Sequence, residues 1–136
     1  MALNSHLSQA SRNLALDAGI PTALNAGHLL VLDSTQPTNA DTALGAQVLL
    51  ADLTLNATAF AAASAGSKAA NAITQDSSAN ATGTATWGSL VASSRATTGT
   101  LDFSAGTATV DLVLNSAAIS SGAAVAVSSF TVTMAA

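Results

Sequence analysis

The chain has 136 residues and a net charge of −4; 49% of it is hydrophobic, but only 7% is charged and 3% aromatic. It holds no Cys, Tyr or Glu and only two histidines, His6 and His28, so disulfides, thiol chemistry and most acid–base or metal constellations start short of parts. Three basic residues, Arg12, Lys68 and Arg95, lie too far apart to track a phosphate backbone, and no apolar run approaches the roughly 20 residues that span a bilayer.

Length predicts one domain over residues 1–136. Met1 to Leu7 has neither the basic nor the apolar region of a secretory signal, so synthesis in a cytoplasm is expected. From about Ser5 to Ala18, Leu3, Leu7, Ala10 and Leu14 recur at helical spacing. This predicts an amphipathic helix, started by Asn4 or Ser5 and stopped by Gly19 and Pro21. Two fates are open to the stripe: docking to a partner, or covering the end of its own sandwich, which is the commoner one.

Beyond the helix the period changes from helical to extended. His28–Asp33 reads as a buried strand before the turn-forming Ser34–Asp41 cluster, and Gln47–Leu55 alternates as a second strand. Ala57–Ala65 has helix-compatible composition, but methyl groups alone cannot anchor a helix, so a loop is expected there, then a strand near Lys68–Thr74. Thr82–Ala92 alternates again around Trp87. Gly106 predicts a tight hairpin joining a strand at Thr100–Ser104 to one at Thr107–Leu114. In the last strand, Ala123–Met134, Val125 and Val127 share one phase while Phe130, Val132 and Met134 share the other, which predicts a bulge at Ser128-Ser129.

One helix at about 5–18 followed by strands from about 28 to 134 predicts a mainly all-β fold of the β-sandwich or jelly-roll kind. Such a core is poor in bulky side chains, and ordering each residue costs about 1–2 kcal/mol of backbone entropy. The chain is therefore expected to gain stability from self-association, as a dimer or trimer, or from docking on a lattice. Candidate interface residues are Leu3, Leu7, Leu14, Leu30 and Leu50.

The remaining motifs carry little chemistry. Asp33, Asn39 and Asp41 lack the ordered spacing of a calcium loop and read as turn residues. No Gly-x-Ser-x-Gly elbow is present, and Asn56-Ala-Thr58 and Asn80-Ala-Thr82 match a glycosylation pattern by chance. No catalytic, metal-binding or cofactor-binding residue is assigned, no cofactor is expected, and the chain is not expected to be an enzyme.

Several segments together resemble small virion proteins of tailed bacteriophages. They are the Asn13-Leu-Ala-Leu-Asp17 helix, Gln36-Pro-Thr-Asn-Ala-Asp41-Thr-Ala before a Leu-rich strand, Ala81-Thr-Gly-Thr-Ala-Thr-Trp87, and Ile119-Ser-Ser-Gly122 with Val125-Ala-Val-Ser-Ser-Phe130-Thr-Val-Thr-Met134. The likeness covers nearly the full chain. It implies a non-enzymatic capsid decoration, or cement, protein on the outer capsid surface of the virion. Its partners would be the major capsid protein or other virion proteins, with no direct nucleic acid and no membrane. A tail, neck or fibre-base component is the alternative within the same virion. A carbohydrate-binding adhesin is the further one, disfavoured by the scarcity of aromatic platforms.

Overall fold

The computed structural model describes residues 6–20, 22–94 and 101–135. Its one α-helix, α1, spans Gln9–Gly19. A 3-10 turn at Thr22–Leu24 leads into β1 (His28–Leu32), which is followed by β2 (Leu49–Thr54) and β3 (Ser67–Ala69). After these come β4 (Gly83–Thr84), β5 (Trp87–Val91), β6 (Leu101–Gly106), β7 (Leu112–Leu114), β8 (Ala118–Ile119) and β9 (Val127–Thr133). The fold is mainly β with a single short helix, as expected.

Seven strands form one sheet in the order β2-β1-β5-β6-β7-β9-β3, curled into a half-barrel, and β4 pairs with β8 apart from it. Curling turns one face inward. Leu29, Val31, Ala51, Leu53, Leu90 and Phe103 occupy that face, and all belong to the buried cluster. The three phenylalanines meet there: Phe130 lies with its ring centroid 4.5 Å from Phe103 and 5.8 Å from Phe60. Grouping the few large side chains in one place lets a methyl-rich chain close a core.

The bulge expected in the last strand is present. Val113 pairs with Ser129 and Leu114 with Val127, which leaves Ser128 as the extra residue. Val125 and Phe130, out of phase in sequence, are thereby both buried.

Two expectations are corrected. β6 and β7 do not form a hairpin: Ala105 pairs with Leu112 and Gly106 with Val113 in parallel. Residues 107–111 make a loop with Thr109 at φ 53°, after which the chain resumes its original direction. Asp111 fixes this turn-back by accepting hydrogen bonds from the Ser104 amide (3.2 Å) and hydroxyl (2.9 Å). Alternation in sequence is the same for either pairing and cannot distinguish them. The run expected as one strand over Thr82–Ala92 is likewise divided between β4 and β5.

Both sheet edges are covered. Along β2, the Thr74 amide donates to Thr54 O, the Asn80 amide to Leu50 O, and Asp76 accepts from the Asp52 amide. Beside β3, the Ala61 amide donates to Ala69 O and the Asn71 amide to Ala59 O. The Ala-rich stretch expected to be a loop thus serves as an edge cover, and a partner's strand finds few unpaired groups at which to add.

Candidate functional site

Helix α1 is held by its polar side chains. Ser8 caps it, accepting from the Ser11 amide at 3.1 Å, so the helix starts later than the expected Asn4 or Ser5. Asn13 accepts from the Gly66 amide (2.8 Å) and Asp17 from the Ala63 amide (2.9 Å), while the buried Lys68 ammonium donates to Asp17 at 2.5 Å. Arg12 donates to Leu7 O at 2.7 Å. Leu16 is the helix's one buried residue.

Tethering the helix by Asn13, Leu16 and Asp17 turns the opposite side outward. Leu14 is 72% exposed and Leu7 52% exposed, and Ala10, Ser11 and Ala18 beside them are exposed too. Leu3 lies outside the described residues. The stripe therefore does not cover the end of the curled sheet; the helix is held instead by buried Leu16 and its polar neighbours, which hydrophobic periodicity did not single out. The missed signal is Asn13 and Asp17, four apart and able to cap the amides of a facing loop.

An apolar groove of about 420 Å³ runs along one flank of α1, lined by Leu16, Gly19, Ile20, Leu101, Val132 and Met134. At the other end of β1, the loop 33–48 carries a second exposed apolar pair, Leu44 and Val48, 41% and 43% exposed. That loop is anchored by Asp33, which accepts from the Val48 amide (2.7 Å), and by Trp87, whose indole N–H donates to Asp33 O (3.0 Å). Exposed apolar side chains thus flank both ends of the sheet.

The remaining candidate leucines separate. Leu50 is fully buried and sits against Gly83, where a Cβ would approach its Cδ2 to 2.8 Å; it belongs to the core and offers no surface. Leu30 is half-buried on the outer sheet face, in a cross-strand row with Asp52, Ser89 and Asp102. On this face His28 Nδ1 lies 2.8 Å from Asp52 Oδ1, and the Ser89 hydroxyl is hydrogen-bonded to Asp102. Burial raises the Asp102 carboxyl above its ordinary value, and the Ser89 bond partly opposes this. At the helix, the Lys68 hydrogen bond and then the Ala63 amide lower Asp17.

Each of these groups is engaged by a side chain brought to it by the fold: His28 by Asp52 and Ser89 by Asp102 within the sheet, and Lys68 of β3 by Asp17 of α1. Among the described residues no three His, Cys, Asp or Glu side chains are placed to hold a metal ion, and no helix is long and apolar enough to cross a membrane. No protein-family model, curated protein or solved structure matches the chain.

Proposed function

We propose that this chain is a non-enzymatic structural protein of a bacteriophage virion, a capsid decoration protein that binds the outer shell and bridges neighbouring capsid subunits. The observation that carries the reading is the pair of apolar surfaces at opposite ends of β1, Leu7 with Leu14 and Leu44 with Val48, on a chain with only 7% charged residues. A bridging protein needs two separated contact surfaces on a rigid body. Lattice repetition then multiplies weak neutral contacts into strong attachment. The segments that resemble tailed-phage virion proteins give the reading its biological setting, and the major capsid protein is the partner it names.

The test is co-sedimentation of the purified protein with capsid shells of the phage that encodes it, followed by cryo-EM of the decorated particle. Attachment should persist at 1 M salt, where exposed ion pairs are screened within about 3 Å. Density on the shell at lattice copy number is the expected result. Density confined to the tail or neck would replace decoration by the tail-component reading, and release by salt alone would overturn apolar attachment.

A further inference from the structure

We infer that α1 is a hinged clasp: it lets go of the sheet as one unit while the sheet stays folded, and its release opens a cleft floored by Phe60, Lys68, Leu101 and Val132. This concerns how the chain holds its own helix and does not depend on the capsid reading.

The core closes without the helix. Leu16 is the one buried residue of α1, and it stands outside the main cluster of buried side chains, which runs from Leu24 to Phe130. What ties the helix down is polar and local. Asn13 holds the Gly66 amide, and Asp17 holds the Ala63 amide and Lys68, all of them on β3 or in the turn just before it. The free side of β3 is already covered by residues 59–61, so no strand loses its partner when α1 leaves.

Packing beneath the helix is loose. The apolar groove of about 420 Å³ lies on one flank, beside Leu16, Gly19 and Ile20. On the flank of Asp17 a second space of about 130 Å³ is lined by Thr22, Asn25, Thr58, Phe60 and Lys68. With space on both sides, few van der Waals contacts are lost when the helix lifts, and lifting it joins the two spaces into one cleft.

The helix brings little stability of its own. It has 11 residues, with no acidic residue in its first turn and no basic one in its last, and an isolated helix of that length is marginal in water. Asp17 places a negative charge near the C-terminal end, where the helix dipole disfavours it. Gly19 supplies the hinge: it is exposed with open space around it, while Ile20 and Leu24 beyond it pack with the core.

Native-state hydrogen exchange of the full chain, followed by NMR in low concentrations of denaturant, tests the inference. Amides of residues 12–20 should exchange through an opening with little denaturant dependence, far more frequent than the global unfolding that frees β1 and β5. Asn13→Ala should speed exchange in α1 roughly fivefold. Val125→Ala, in the core beside Asp76, should speed exchange in β1 and β5 and leave α1 unchanged. Combining Asn13→Ala with Leu16→Ser should leave the α1 amides unprotected on a sheet that still melts cooperatively. Helix amides that exchange only together with the sheet, at the same rate and denaturant slope, would overturn the proposal. So would loss of the cooperative melt in the double variant.

Discussion

The Lys68 ammonium lies 2.5 Å from the Asp17 carboxylate, tying the short strand β3 to α1 across 51 positions of sequence. The partners are unequal: the Lys68 side chain is 10% exposed and that of Asp17 41%. Removing one or the other therefore has different costs. Asp17→Ala leaves a buried ammonium without its counter-charge, whereas Lys68→Met keeps the aliphatic stem packed and leaves a carboxylate that water can reach. Thermal melts should show a larger fall in Tm for Asp17→Ala than for Lys68→Met. Equal falls would mean that the pair acts only as a tether.

The two shifted carboxyls predict opposite responses to acid. Asp17 is lowered from 3.8 in the folded state, so its contribution is complete above that value and is lost as pH falls through the folded one. Asp102 is raised above 3.8, so its ionised form costs stability at neutral pH, and protonation relieves that cost as pH falls through the folded value. Asp102→Asn should raise Tm at pH 7, on the order of 1–2 °C for this half-exposed group. The advantage should vanish below pH 3.8, and melts across pH 3–7 check it. A variant less stable than wild type at pH 7 would show that the Ser89 bond outweighs burial.

Gly88 is the second residue of β5, where a Cβ would lie 2.5 Å from Phe103 Cε2 and 2.8 Å from the Leu30 carbonyl oxygen. Gly88→Ala should cost about 2 kcal/mol or more in chemical denaturation. Adding Phe103→Leu removes the ring but not the Leu30 carbonyl, so recovery should be partial. Full recovery would mean that the backbone shifts freely.

Deletions in β9 separate the bulge from ordinary strand positions. Removing Ser128 leaves Val125, Val127 and Phe130 on one face of a regular strand, so the fold should survive with a lowered Tm. Removing Thr131 shifts Val132 and Thr133 out of phase with Lys68 and Ser67, and should abolish the cooperative melt. The reverse order would place the extra residue elsewhere in the strand.

Much of the fold was legible because its signals are local. A short apolar run framed by turn residues marked β1, period-two alternation marked β2 and β9, the phase slip between Val127 and Phe130 announced the bulge, and the methyl-rich composition of Ala57–Ala65 argued against a second helix. The candidate surface was only partly legible. Leu7 and Leu14 stand out as a helical stripe, but Leu50, an interface candidate on its strand, goes to the core, because hydrophobic spacing does not say which side of an element will be covered.

By itself the sequence determined that this chain is poor in chemistry, low in charge and committed mainly to strands, since those properties follow from residue type and near-neighbour spacing. Only tertiary structure decided that β6 and β7 run parallel, that α1 attaches by its polar side, and that its leucines face outward. Asn13 finds the Gly66 amide and Asp17 the Ala63 amide and Lys68 at separations of 46 to 53 residues. Once those hydrogen bonds fix the rotation of the helix, the apolar stripe has no inward direction left.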